Sequence, residues 1–185
     1  MKIAICEYKE DWKYEFDVES GFLAEIFGSE VKAVEHIGST SISGQNAKPV
    51  IDIFLAVYPF HPPSHYELKL TSINYRFIPT DMIERHLFSK YTNGNIWTHN
   101  LHILPCDNGF YLRNEILFRD YMRKSPDLVK RFNDLKNQLA EKDYVSLHTY
   151  TKAKTSFIQE VVDLARKEKG LPRQNVWTMK NLEGE

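Results

Sequence analysis

Residues 35–54 read EHIGSTSISGQNAKPVIDIF and gather groups that could act together on one ligand. Gly38, Ser39 and Thr40 form a small hydroxyl-bearing turn. Lys48 is followed by Pro49, and Asp52 stands in an apolar run over residues 50–57. Glycine lets a backbone approach a ligand closely, and consecutive N–H groups beside hydroxyls can cradle phosphate oxygens. A carboxylate on the following strand can then hold Mg2+ or Mn2+ against those phosphates. Proline keeps Lys48 extended, so it can reach a phosphate or stay in solvent. A carboxylate inside an apolar strand is costly unless paired, hydrogen-bonded or metal-bound. Asp52 is therefore a candidate catalytic or metal-holding group, or the structural partner of a nearby lysine.

Three better-known phosphate and nucleophile motifs fail on this segment. Five residues separate Gly38 from Gly44, and Gln45 follows where a P-loop needs lysine. Gly38-Ser39-Thr40-Ser41 is not GxSxG, and GxGxxG is absent. What remains is a strand, a Gly-Ser turn, an intervening loop and a strand bearing Asp52, which resembles the layout of the nucleotidyltransferase fold.

The surrounding pattern supplies the elements. Trp12, Phe16, Leu23 and Phe27 recur at helical spacing, and Gly28 stops that helix. Residues 31–37 read as a strand, 38–47 as a loop, and 50–57 as a strand covered on both faces. A short helix over 64–72 and a strand over 75–78 follow. Residues 83–91 and 98–104 read as a hairpin around Asn93-Gly94. Helical periods then carry Tyr111, Glu115, Phe118 and Met122, then Leu128, Phe132, Leu135 and Leu139 after Pro126. A third helix is expected over 146–169, with Tyr150, Phe157, Val161 and Leu164 on one side. The texture suggests a core over 1–108, a helical segment over 109–170 and an irregular tail over 171–185.

Composition bounds the partners. Of 185 residues 42% are hydrophobic and 26% charged, and the formal net charge is −1, which argues against a nucleic-acid footprint over the whole chain. Cys6 and Cys106 stand apart without metal spacing. With no signal peptide and no run of ~20 apolar residues, the expectation is a cytoplasmic protein with no membrane partner. Residues 1–109 hold 9 Lys/Arg and 14 Asp/Glu, and 110–170 hold 13 and 9. A basic helical half beside an acidic one can collect an anion in the crevice, or simply present solvated faces.

EHIGSTSISGQNAKPVIDI resembles the signature of the GrpB family, a branch of the nucleotidyltransferase-fold superfamily. EYKEDWKYEF, THNLHIL, LFRDYMR and YTKAKTSFI extend the resemblance over roughly residues 3 to 165. It implies an α+β fold with a mixed sheet, flanking helices and a C-terminal helical segment. It also implies a nucleotide or other phosphorylated small molecule as partner, bound with Mg2+ or Mn2+, and possible transfer of a nucleotidyl group to a small acceptor. Some members are fused to dephospho-CoA kinase, where a folding-accessory role has been proposed, so a non-catalytic binding or interaction module is the alternative. Gly38, Ser39, Thr40, Lys48 and Lys154 would contact the nucleotide. Lys154 is preferred over Arg119 and Lys152 because it follows Tyr150 by one helical turn.

The sequence departs from the superfamily at the metal carboxylates. Phe54 occupies the place of the second, and the later strand THNLHILP offers His99 and His102 in place of the third. Residues three apart on a strand face opposite ways, which disfavours a shared zinc site. His102 is the expected second catalytic and metal-binding group beside Asp52. His36 is open between a ligand and a hydrogen-bonded core histidine.

Overall fold

In the computed structural model the described residues are 4–82, 84–92 and 95–176. Five strands form one mixed sheet: β1 (Val31–Ile37), β2 (Ile51–Val57), β3 (Tyr75–Ile78), β4 (His86–Thr92) and β5 (Ile96–Pro105). Their order is β1-β2-β5-β4-β3. β2 runs antiparallel to β1 and parallel to β5, so a crossover carries the chain from β2 to the far edge. Ile83, expected to open the hairpin, lies outside the described residues. So do the Asn93-Gly94 turn and the tail beyond residue 176.

β2 is apolar on both faces because both are covered. Ile51, Ile53, Leu55 and Val57 meet Trp12, Leu23 and Phe27 of α1 (Asp11–Phe27) and Tyr66 and Leu70 of α2 (Pro63–Thr71). On the other face Phe54 and Ala56 pack with Phe110 and with Ile116 of α3 (Asn114–Arg123). Gly28 ends α1 at a φ of 53°, a backbone state that favours glycine. The Gly-Ser-Thr segment, expected as loop, tightens into a 3-10 turn over Ser39–Ser41.

The C-terminal helices include α4 (Pro126–Ala140), α5 (Leu147–Lys152) and α6 (Thr155–Glu168). They pack on the loop between β1 and β2 through Ile42, which is fully buried among Met122, Phe132, Phe157 and Val161. The single helix expected over 146–169 is two helices. Lys154 N–H returns to Thr151 O in a tight turn, then caps α6 with ψ near −5°. Leu164 is partly exposed, and Val162 and Ala165 take the buried side instead. Tyr111 precedes α3 in a 3-10 turn and is exposed.

Polar bonds hold α3 and α4 to β1 and to that loop. Arg119 Nη1 donates to Glu35 Oε2 at 2.6 Å and to His36 O at 2.9 Å. Arg123 Nε donates to Ser41 O at 3.0 Å. Asn133 accepts from Asn46 N–H at 2.8 Å and from the Gln45 amide, and donates to Gly44 O at 2.8 Å. Asn133→Ala removes all three and leaves the Gln45 side chain, fully buried, without its acceptor. The expected loss is about 1–3 kcal/mol in urea unfolding, with faster amide exchange at Asn46. An unchanged midpoint would mean that apolar packing alone holds the loop.

Candidate functional site

The strand register decides which side chains meet. Asp52 pairs with Ile37 on β1 and with Asn100 on β5, and directly paired residues share a sheet face. Asn100 Nδ2 donates to Asp52 Oδ1 at 2.9 Å. Asn100 Oδ1 in turn accepts from Ser89 Oγ at 2.9 Å and from Trp97 Nε1 at 3.0 Å. The amide is thereby oriented with its nitrogen toward the carboxylate. The other carboxylate oxygen leans on the turn. Gly38 has a φ of +71°, and a Cβ there would collide with Asp52 Oδ2, with Asp52 Cβ and Cγ only 3.1 Å away. Glycine is required twice over, by conformation and by contact.

Asp52 opens onto a cavity of about 310 Å³ shared with Ser39, Thr40, Lys48, Lys136 and Lys154. Burial pushes the Asp52 carboxyl up, partly offset by the Asn100 hydrogen bond and by the charges of Lys48, Lys154 and Arg85. Burial holds all three cavity lysines down: Lys136 to about 6 and Lys154 to about 8, with Lys48 lowered as well. Lys48 and Lys154 repel one another, and Asp52 attracts both. Lys136 Nζ donates to Ser39 Oγ at 3.2 Å and to Asn46 O. Lys48 Nζ lies 4.6 Å from the Trp97 ring centre and Lys154 Nζ 4.3 Å from that of Tyr150. Three desolvated lysines, of which Lys136 is largely neutral near pH 7, stand around one carboxylate, and a bound anion would favour the protonated form of each. A wider hollow of about 400 Å³ between α4 and α6 is lined by exposed, already paired charges, Arg131 with Glu160 and Asp134 with Lys130.

The structure thus brings Gly38, Ser39, Thr40, Lys48, Asp52 and Lys154 to one place. His102 shares the sheet face of Asp52 but pairs with Phe54, one step further along the strands. It is absent from the cavity lining. Its Nδ1 accepts from Arg85 Nε at 3.1 Å, and Arg85 Nη1 bonds Glu115 Oε1 at 2.5 Å. Burial, then Arg85, hold the His102 imidazole well below its usual value. Phe54 is fully buried against His102 and Phe110, beneath the site rather than lining it. His99 pairs with Ile51 on the opposite face. His36 donates to or accepts from Thr40 Oγ1 at 2.9 Å and stacks on Phe16. Arg119 is tied to Glu35 and Asp120. Asn100 and Lys136 escaped sequence reasoning. Asn100 lies between the two histidines that drew attention, and a register count from Asp52 would have found it.

Among the described residues Asp52 is the one carboxylate that faces this cavity. Mg2+ commonly binds through one or two carboxylates together with substrate phosphates, so the donor set fits one ion arriving with an anion. It does not fit two, because Phe54 and Asn100 occupy the other places.

The lysines make stability depend on pH. In the unfolded chain they hold a proton up to about pH 10.4, in the fold only to about 6 for Lys136 and about 8 for Lys154. The unfolded state therefore binds more protons between those values, and the ligand-free protein loses stability as pH falls through that window. Lys136→Met should flatten the dependence between pH 6 and 10 by up to about 1.4 kcal/mol per pH unit, measured by urea unfolding. An unchanged slope would mean that Lys136 is charged and compensated in the fold.

Comparison with known proteins agrees with this architecture. The chain is 32% identical over 166 residues to the glutamate-rich protein GrpB of Alkalihalophilus pseudofirmus, covering 88% of this chain and 95% of that one. It is 34% identical over 169 residues to the UPF0157 protein YqkA of Bacillus subtilis, covering 91% of this chain and 48% of YqkA, about half that relative's length. The crystal structure of GrpB from Enterococcus faecalis superposes with a TM-score of 0.81 at 28% identity, over 90% of this chain and 99% of that one. The Cid1 poly(U) polymerase with Mg 3′-dATP bound superposes at 0.56 and 9% identity, over 80% of this chain and 49% of Cid1. That likeness is one of fold, and it places the sheet among nucleotidyltransferase-like folds. Residues 2–164 match the family described as GrpB protein, and the chain belongs to the GrpB family.

Proposed function

We propose that the cavity between Asp52 and the three lysines binds the phosphates of a nucleotide with one Mg2+ or Mn2+ ion. The observation that carries this reading is the placement of Lys48, Lys136 and Lys154 around a carboxylate that rests on the Gly38 turn. Asp52 would hold the ion, the Ser39 and Thr40 hydroxyls and the turn would meet phosphate oxygens, and the lysines would neutralise the rest. The ion's contribution is to bridge phosphate oxygens to a carboxylate that would otherwise repel them. The Mg 3′-dATP of Cid1 is a nucleotide and metal of the kind proposed. Cys6 and Cys106 are free thiols, which suits a cytoplasmic setting. Among the described residues no helix is long and apolar enough to cross a membrane.

The buried Phe54 and the neutral Asn100 favour binding over turnover. Two-metal transfer needs carboxylates for both ions, and here an aromatic ring and an amide stand in those places. We therefore read the site as a nucleotide-binding module in which any nucleotidyl transfer is slow.

A nucleoside triphosphate with Mg2+ or Mn2+ at ~100 times its Kd adds about 2.7 kcal/mol of stability. That corresponds to a midpoint rise of roughly 5–10 °C in a chain of this size. Asp52→Asn should lose the metal-dependent part of the rise and keep the fold, while Asn100→Asp should strengthen Mn2+ binding. A panel of common nucleotides that shifts nothing with either metal would reject the reading. Full metal-dependent binding by Asp52→Asn would reject the role given to Asp52.

A further inference from the structure

A second cluster of ligand-type side chains lies at the other end of the sheet. Glu30, His61 and His65 each offer one ligand atom, and these atoms lie within 4.8 Å of one another. Val31, next to Glu30, pairs with Val57, whereas Asp52 pairs with Ile37 near the opposite end of β1. Five residue steps along β2 therefore separate the two places, about 16 Å on an extended strand. None of the three residues lines the Asp52 cavity.

Each side chain is positioned by its own backbone. Glu30 ends the 3-10 turn Gly28–Glu30, and its carbonyl accepts from Tyr58 N–H at 2.9 Å, fixing the start of β1 against the exit of β2. His61 lies in the turn that follows. Its N–H donates to the hydroxyl of Tyr66, which is fully buried, and its carbonyl meets His86 Nε2 at 2.9 Å. His65 stands in the first turn of α2, its N–H on Pro62 O. The two imidazole rings are 4.1 Å apart, and His65 Nε2 lies 2.9 Å from Glu30 Oε2. Lys69 Nζ sits 3.4 Å from the other oxygen, Oε1, which leaves Oε2 as the oxygen facing the histidines. All three residues are partly exposed, so an ion has access.

We propose that Glu30, His61 and His65 bind a divalent transition metal of the zinc type, with the fourth position left to water. Two imidazoles and one carboxylate suit Zn2+ and its neighbours, and the mixed nitrogen set disfavours Mg2+ and Ca2+. In a tetrahedral site with ligands about 2.0–2.1 Å from the ion, ligand atoms lie about 3.3 Å apart. His65 and Glu30 are already closer than that, and His61 has to approach by at most about 1.5 Å, within reach of side-chain rotation. Oε2 would serve as a monodentate ligand while Lys69 keeps Oε1. The ion would tie the entrance of β1 to the turn leaving β2, and its open position could accept a further ligand.

Zinc titrated into untagged protein against a chromophoric chelator tests this. One equivalent should bind wild-type protein and Asp52→Asn alike. His61→Ala or His65→Ala should weaken it by at least about 100-fold, since even the loss of an outer partner of a metal ligand costs about 10–100-fold. Glu30→Gln, which keeps an oxygen there but loses the charge, should weaken it by at least about tenfold, with far-UV circular dichroism showing each variant folded. Co2+ should give the visible absorption of a four-coordinate ion in wild type and lose it in the histidine variants. Absence of stoichiometric zinc binding, or binding that survives the His61→Ala, His65→Ala double variant, would overturn the proposal.

Discussion

The contact between the Asp52 carboxylate and the backbone of Gly38 sets the terms for the rest of the molecule. A carboxylate at the head of a strand covered on both faces loses most of its hydration, and burial raises its pKa accordingly. Oδ1 accepts from the Asn100 amide, and Oδ2 lies close against a turn that has no side chain in the way. Any larger residue at position 38 would push the turn off the strand. The positive φ of Gly38, the 3-10 turn that follows it and the register of β1 on β2 are thus parts of one arrangement.

Lysines complete that arrangement from distant parts of the chain. Lys48 comes from the loop leading into β2, Lys136 from α4 and Lys154 from the break between α5 and α6. Lys136 can reach the turn because Asn133, one helical step earlier, is bonded to residues 44–46 of the same loop. Arg119 and Arg123 fasten α3 to the next stretch of that loop and to β1. The C-terminal helices therefore serve two purposes at one contact: they cover Ile42 with apolar side chains and they bring ammonium groups to Asp52.

How much of this was legible depended on whether the signal was local. The α1 period, the two-faced apolar run of β2 and the Gly-Ser turn before Asp52 are patterns over a few consecutive residues, and they appear in the fold where the sequence puts them. The break at Lys154 was hidden because residues on both sides keep a helical period, and only the tight turn at Thr151 interrupts it. Asn100 and Lys136 were hidden for another reason. Their importance comes from strand register and helix docking, neither of which a linear pattern records. His102 drew attention as a rarer, more reactive residue type, yet pairing places Asn100 beside Asp52 and gives His102 to Arg85. The Glu30, His61 and His65 cluster depends on β1 and β2 lying side by side, since thirty residues of chain separate its carboxylate from its imidazoles.

The charge of the cavity bears on the number of metal ions it can hold. Among the described residues one carboxylate faces three lysines, and even with Lys136 largely neutral near pH 7 the other two outnumber it before any cation arrives. A lone divalent ion would meet repulsion from ammonium groups whose own protonation burial has weakened. A phosphate chain reverses this, because its oxygens attract the lysines and lend the ion the ligands that Asp52 alone cannot supply. In the proposed site metal and anion would favour one another's binding, each being weak without the other. A second ion has no such support: the place beside Asp52 along β2 is filled by Phe54, and the place across from it by an amide whose oxygen is already engaged by Ser89 and Trp97. The same substitutions that remove the means of two-metal chemistry leave a neutral, well-packed wall under the proposed phosphate site, which is the environment in which a single carboxylate and a few lysines act most strongly on an anion.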